Sequence, residues 1–138
     1  SLRRSIDELG LADRITLHGE QPDTWLAGAW READLFVLAS DHEGYGMVLT
    51  EALARGLPII ASTGGAAADT LPDGAGLKIP PDDAPALRQA LRRAMGDSAL
   101  RAQLALAASA AALNLPTWND AARIVAQTLR AVADGDSK

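Results

Sequence analysis

Short apolar runs alternate with helical stretches along this chain, and that alternation constrains the fold more than any other feature. Four runs rich in branched residues have the length and composition of strands, and they cover residues 15–18, 35–39, 58–61 and 76–79. Parallel strands need long crossover connections, which are usually helices. The alternation therefore predicts an α/β fold, with a Rossmann-like parallel sheet and helices on its faces.

Apolar spacing and end signals mark the predicted helices. The first helix ends over residues 5–11, and two more follow over residues 23–32 and 46–55. Gly56 gives the third helix a C-terminal cap. The tail from residue 84 to residue 133 is predicted to be helical, as helices over residues 84–95, 98–113 and 119–133. Asp97 or Ser98 caps the second of these, and Thr117 caps the third.

The order of these elements is unusual at its beginning. A doubly wound domain usually opens with a strand whose following loop helps to bind phosphate. This chain opens on a helix, so residues 1–138 are expected to form one partial domain, truncated on its N-terminal side. Such a truncation would leave an interior sheet edge unpaired. Homodimer formation or strand exchange through that edge is a further expectation.

Charge and composition exclude several classes of function. The 13 basic and 18 acidic residues give a net charge of -5, without the basic face that duplex nucleic acid requires. No cysteine is present, which excludes disulfide and thiol chemistry. The longest apolar stretch, residues 104–113, is too short to span a bilayer. The expected location is the cytoplasm, with peripheral attachment to the inner face of the membrane left open for a full-length protein.

The residues expected to carry chemistry lie between residues 33 and 62. A buried strand runs into a polar loop, and a helix follows near Gly46. In open α/β sheets ligands bind beyond the carboxyl ends of the strands, so this loop is the expected binding edge. Gly44 and Gly46 let a ligand approach the free amides of the first helical turn, which favour an anion such as a diphosphate.

Two carboxylates, Glu43 and Glu51, frame the same point eight residues apart. Carboxylates accept hydrogen bonds from the hydroxyl pairs of a ribose or a hexose. Together with the amides, the two acids therefore suit a nucleotide sugar. Two simpler interpretations stay open: Glu51 pairs with Arg55 one helical turn later, or Glu43 is a first-turn acid that complements the helix dipole.

The two histidines do not have the spacing of a metal site. His18, at the end of the first predicted strand, is expected to be a packed residue. His42 directly precedes Glu43 and is a candidate donor to the sugar or the phosphate of a ligand.

The segment EGYGMVLTE, from Glu43 to Glu51, resembles the Glu-x7-Glu motif of retaining glycosyltransferases with the GT-B fold, specifically family four. The flanking segments ADLFVLAS and EALARGLPIIAS are similar to that family as well, as are ITLHGE from Ile15 and LPTWNDAA near Leu115. The resemblance covers nearly the whole chain. It implies the C-terminal half of a GT-B fold, which binds a nucleotide-diphosphate sugar for transfer with retained configuration.

The resemblance also implies roles for individual residues. Glu43 would contact the donor sugar and influence the reacting centre, and Glu51 would accept the ribose hydroxyls. The main-chain amides that would hold the sugar and the phosphates belong to Gly44, Tyr45, Gly46, Met47 and Val48. The residues that would lie near the base are Gly19, Glu20 and Gln21. No metal and no prosthetic group is implied.

This chain departs from the family pattern in ways that bear on activity. The family's basic pair for the diphosphate lies on a segment before Ser1. Within the chain, Arg55 is expected to point away along its helix and Lys78 belongs to another strand. By the same resemblance, the acceptor-binding N-terminal domain would also lie outside these residues, so the chain alone is expected to be inactive. Two alternatives remain: a non-catalytic nucleotide-sugar-binding module that regulates a partner, and a GT-B sugar-nucleotide epimerase.

Overall fold

The computed structural model describes residues 1–40, 47–64 and 67–135. They form two compact units, Ser1–Glu32 and Ala33–Lys138. All of the described strands belong to the second unit. That residues 1–138 act as one donor-binding domain stays a prediction.

The first unit holds two helices, α1 at Leu2–Glu8 and α2 at Asp23–Glu32, and the bounds of α2 are the predicted ones. Helix α1 ends earlier than expected because Gly10 adopts a left-handed φ of 65°. The amide of Gly10 then donates to the carbonyl of Asp7 at 3.1 Å and the amide of Leu11 to that of Ile6 at 2.9 Å, which closes the helix.

The predicted strand over residues 15–18 is wrong. These residues form no strand, and the side chains of Ile15 and Leu17 are exposed. A strand exists only where a neighbouring strand satisfies its main-chain groups. The run has the apolar pattern of a strand but neither that pairing nor the burial that the pattern predicts.

The second unit is built on a three-stranded parallel sheet with strand order β1-β2-β3. The strands are β1 at Phe36–Leu38, β2 at Ile59–Ser62 and β3 at Leu77–Ile79. In register, Val37 lies beside Ile60, and Ala61 lies beside Lys78. The α/β parallel architecture is confirmed. Among the described strands, β1 pairs with β2 alone, and strand exchange or dimer formation through its other edge stays a prediction.

The described part of the second unit contains five helices: α3 at Met47–Ala54, α4 at Ala67–Thr70, α5 at Ala84–Gly96, α6 at Ser98–Ala112 and α7 at Trp118–Gly135. The cap at Gly56 is confirmed, with φ of 66° and a hydrogen bond from its amide to the carbonyl of Leu53 at 2.9 Å. Asp97, rather than Ser98, caps α6, because its carboxylate accepts from the amide of Leu100 at 2.9 Å. The short helix α4 was not expected.

The core lies on both faces of β2, all of whose residues are buried. The largest fully buried side chains are Leu49, Leu53, Ile59, Ile60 and Leu71. On one face, Ile60 and Ile79 pack with Ala90 and Ala94 of α5. Helix α3 packs against the alanine-rich α6. None of the helices in the described ranges is both long and apolar enough to cross a membrane.

Candidate functional site

The three strands of the sheet end at one edge, and a cavity of about 250 Å³ lies there. Its lining comes from the exits of all three strands and from the start of α5: Ala39, Ser62, Ile79, Pro80, Asp82, Asp83, Ala84 and Leu87. Open α/β sheets bind ligands beyond the carboxyl ends of their strands. The described residues of this lining offer carboxylate and main-chain acceptors but no Lys or Arg.

Hydrogen bonds join the carboxyl ends of the three strands. The hydroxyl of Ser62, the last residue of β2, donates to the main-chain carbonyl of Ser40, just beyond β1. The amide of Thr63 donates to the carbonyl of Ile79 at 2.9 Å, which links β2 to the end of β3. Ser62 is only 3% exposed. These bonds pair Ser62 and Thr63 with main-chain carbonyls at the ends of β1 and β3, and they hold Ser40, the residue that precedes the polar loop.

Much of the predicted site lies outside the described residues. His42, Glu43, Gly44, Tyr45 and Gly46 all belong to the segment between Ser40 and Met47. Chain connectivity alone joins this segment to the carboxyl end of β1 and to the first residue of α3. The roles of these five residues therefore stay predictions.

Helix α3 carries the described part of the predicted motif. Met47, its first residue, is exposed, and Val48 is partly buried. The hydroxyl of Thr50 donates to the carbonyl of Met47 at 2.8 Å within the first turn. The amides of a first helical turn have no partner within the helix, and together with the helix dipole they favour an anion. The start of α3 is thus chemically suited to a phosphate.

Glu51 lies one turn into α3 and pairs with Arg55. Arg55 Nη2 lies 3.2 Å from Glu51 Oε1, and the side chains are 34% and 44% exposed respectively. The simpler interpretation of Glu51, an ion pair one turn along the helix, is therefore observed. The expectation that Arg55 points away is wrong, because residues four apart share a helix face and helical side chains lean towards the N-terminus. The carboxylate nevertheless stays open to solvent.

The residues predicted to lie near a base belong to the first unit. Gly19 has φ of 64°, Glu20 is exposed, and the side-chain amide of Gln21 donates to the carbonyl of His18 at 2.7 Å. The ring of His18 lies 4.4 Å from that of Trp25. The prediction of a packed His18 is wrong, since the residue is exposed apart from this contact. Contact of residues 19–21 with a base stays a prediction.

Lys78, the cation expected on another strand, pairs with a carboxylate and a main-chain carbonyl outside the predicted site. Lys78 of β3 lies 2.9 Å from Asp73 Oδ1 and donates to the carbonyl of Ala68 at 3.4 Å. Its hydrogen bond and its charge hold the pKa of Asp73 below the ordinary value. Within the described ranges, no group of three or more His, Asp or Glu is arranged to hold a metal ion.

Two features of the site were missed at the sequence level. Asp82 adopts a positive φ of 56°, and Asp83 beside it caps α5 by accepting from the amide of Ala86 at 2.8 Å. The aspartate before the first helical residues was an available capping signal. The second feature is a cavity of about 400 Å³, lined by Met47, Thr50, Pro116, Thr117 and Ala121. No local sequence pattern predicts this cavity, because one wall comes from α3 and the other from the residues around the start of α7, which are distant in sequence.

Comparison with known proteins gives consistent results. Residues 1–110 match the family model described as glycosyl transferases group 1. The lipopolysaccharide core biosynthesis mannosyltransferase LpsB of Rhizobium meliloti is 37% identical over 135 residues, which are 96% of this chain and 36% of LpsB. The sucrose-phosphate synthase of Thermosynechococcus elongatus superposes with a TM-score of 0.85 at 32% identity, over 97% of this chain and 34% of that one.

A further solved structure is that of HepE from Anabaena in complex with UDP. It superposes with a TM-score of 0.83 at 26% identity, over 94% of this chain and 36% of HepE. The same protein has been solved with UDP-glucose. The chain thus spans about a third of the length of each of these three proteins.

Proposed function

This chain belongs to the glycosyl transferases group 1 family, and from that premise we propose that it binds the nucleotide-sugar donor of a glycosyltransferase. In the proposed reaction the enzyme transfers the sugar of a nucleotide-diphosphate sugar to an acceptor, and the configuration at the transferred carbon is retained. The donor would lie at the carboxyl edge of the sheet, across the start of α3.

The observation that carries the proposal is the position of Glu51. Its carboxylate lies one turn inside a helix that directly follows the glycine-containing segment 43–46, and it stays 44% exposed. A solvent-open carboxylate beside the free amides of a helix start can accept hydroxyl groups while the amides face a phosphate. Ribose and diphosphate are adjacent in a nucleotide sugar, as are these two kinds of protein group.

We propose the roles of the other predicted donor contacts from the resemblance to the family. We assign to Glu43 the contact with the donor sugar at the reacting centre, and to His42 a hydrogen bond to the sugar or the phosphate. The amides of residues 44–48 would hold the sugar and the phosphates. Gly19, Glu20 and Gln21 would lie near the base. No metal at the phosphates and no prosthetic group enters this mechanism.

Support for the donor class comes from relatives. HepE was solved with UDP and with UDP-glucose, and LpsB is named as a mannosyltransferase. Both are similar to this chain over at least 94% of its length. The two relatives differ in the sugar that is printed for them, so the proposal extends to the class of nucleotide-diphosphate sugars.

The chain alone is proposed to bind donor without transferring the sugar. Transfer requires an acceptor site that faces the donor and excludes water. This chain spans about a third of its relatives' length, and the acceptor site is assigned to the remainder. Robust turnover by the 138-residue chain alone would contradict this part of the proposal.

The test is a titration of the chain with UDP, GDP, ADP, UDP-glucose and GDP-mannose by isothermal calorimetry. Glu51→Gln should weaken the best ligand roughly tenfold, because the ribose hydroxyls then donate to a neutral amide oxygen in place of a charged carboxylate. Glu8→Gln is the matched control. It removes an ion pair of the same spacing, Arg4 Nε to Glu8 Oε1 at 2.7 Å, at a position with no assigned role.

Failure to bind any of the five ligands, or equal effects of the two glutamate variants, would overturn the proposed donor site. An activity assay on the full-length gene product separates the enzyme from a non-catalytic binding module. Interconversion of sugar nucleotides without transfer would instead identify an epimerase.

A further inference from the structure

We propose that Arg55 is a positioning residue, which holds the carboxylate of Glu51 in the orientation that accepts the ribose hydroxyls of the donor. This inference rests on the proposed function and adds to it a residue outside the Glu43-to-Glu51 motif. Arg55 would act through Glu51 and would not itself touch the ligand.

The geometry links the two residues twice. Arg55 Nη2 lies 3.2 Å from Glu51 Oε1, and the amide of Arg55 donates to the carbonyl of Glu51 at 3.1 Å. Arg55 follows directly on the last residue of α3, so its main chain is held by the hydrogen bond that continues the helix. Side chain and main chain therefore place the guanidinium against the carboxylate.

The position of Arg55 is fixed from its other side as well. Gly56 turns the chain with φ of 66°, and its amide donates to Leu53 at 2.9 Å while the amide of Leu57 donates to Ala52 at 3.1 Å. These two bonds form a Schellman motif, which satisfies the last carbonyls of the helix. The backbone that carries Arg55 is thus held by the helix before it and by the cap after it.

This arrangement matters because Glu51 is half exposed. A solvent-exposed glutamate samples several rotamers, and a ligand that needs one of them must order the side chain on binding. The ion pair engages Oε1, and no described residue donates a hydrogen bond to Oε2. One oxygen is therefore held while the other stays open to a hydroxyl donor.

Charge gives a second reason. A carboxylate close to a diphosphate repels it, and the guanidinium offsets that repulsion by making the pair neutral. Lys78, the cation on β3, is engaged with Asp73 and with the carbonyl of Ala68. Arg55 is consequently the described cation that is tied to the predicted motif.

The test measures discrimination between ribose and deoxyribose. The probes are the best-bound nucleoside diphosphate among UDP, GDP and ADP, and its 2′-deoxy analogue, titrated calorimetrically into the wild-type chain, Arg55→Gln, Arg55→Lys and Glu51→Gln. Arg55→Gln should weaken the ribonucleotide roughly three- to tenfold, the effect of leaving one side chain to be ordered on binding. The deoxy analogue should lose less affinity, because it loses the charge contribution but not the oriented contact to the 2′-hydroxyl, so the affinity ratio falls. Arg55→Lys should restore part of that ratio.

Arg4→Gln is the matched control, because it removes the other Arg–Glu pair at the same spacing, and it should leave both affinities unchanged. A loss of affinity that is equal for both nucleotides would show that Arg55 acts on the fold or on the charge of the site and not by orienting Glu51, and two unchanged affinities would show that it has no role. Either result overturns the inference while discrimination lost in Glu51→Gln still supports the proposed function. A wild-type chain that binds none of the nucleotides overturns both.

Discussion

The hydroxyl of Ser62 donates a hydrogen bond to the main-chain carbonyl of Ser40. The bond joins the last residue of β2 to the residue that precedes segment 41–46, which contains most of the predicted donor contacts. It thus connects the buried sheet to the point at which the proposed site begins. Its removal should affect both stability and binding.

Ser62→Ala should lower the free energy of unfolding by about 1–2 kcal/mol, because the carbonyl of Ser40 loses a donor in a part-buried position. Chemical denaturation followed by circular dichroism measures the change. Ser98→Ala, which alters an exposed serine of α6, should change stability by less than ~0.5 kcal/mol. Equal effects of the two variants would show that the bond to Ser40 contributes nothing.

Leu53→Ala should be among the most destabilising changes in the second unit. Leu53 of α3 is fully buried, and its truncation leaves a cavity that costs about 2–5 kcal/mol. Leu106 of α6 is the matched control, because it is 74% exposed and its truncation should cost less than ~0.5 kcal/mol. Urea denaturation of both variants measures the difference. A small loss in Leu53→Ala would contradict the packing of α3.

The N-terminus of α7 should respond to acid through Asp120. The amide and the hydroxyl of Thr117 donate to its carboxylate at 2.8 and 2.9 Å, and these bonds hold the pKa of Asp120 below the ordinary 3.8. Because the folded pKa is lowered, the stabilisation is complete above the unfolded value and is lost as the pH falls through the folded one. Acid unwinding of the first turn should therefore begin only below about pH 4.

Carbon-detected NMR titration of the carboxylates measures this effect. Thr117→Ala should raise the pKa of Asp120 towards 3.8, while part of the lowering persists because the amide of residue 117 still donates. Asp73 is the internal control, since its pKa is lowered by Lys78 and should not move. A pKa of Asp120 that is the same in both proteins would rule out the hydroxyl contact.

The sheet was predictable because its signals are local and agree with one another. The runs that became β1, β2 and β3 are apolar and bounded by turn residues, and the runs of β1 and β3 are each followed by a helical pattern. The caps at Gly56, Asp97 and Thr117 were predictable for the same reason, as each satisfies main-chain groups within a few residues.

The errors concern properties that depend on distant parts of the chain. Residues 15–18 have a strand pattern, but pairing is decided by whether another strand lies alongside. The direction of the Arg55 side chain is the exception, because its spacing of four residues from Glu51 already allowed the ion pair that the structure shows. The cavity between Met47 and Pro116 depends on how α3 meets the segment before α7.

A side chain at Gly76 should destabilise the protein, although the backbone conformation of this residue does not require glycine. A Cβ at this position would lie 2.8 Å from the carbonyl oxygen of Ile59 and 2.8 Å from Leu71 Cδ2. Leu71 is able to turn, but the carbonyl belongs to the buried central strand, so β3 would have to move away from β2. Gly76→Ala should therefore lower the free energy of unfolding by about 1–3 kcal/mol.

Gly96→Ala is the matched control for that substitution. Gly96 ends α5, a Cβ there meets no atom within 4 Å, and alanine is the better helix former. The free energy of unfolding of Gly96→Ala should rise by up to ~1 kcal/mol or stay unchanged. Thermal and urea denaturation of the two variants give the comparison. If Gly76→Ala is as stable as Gly96→Ala, the strands β2 and β3 cannot approach as closely as the parallel register of Ile60 with Leu77 requires.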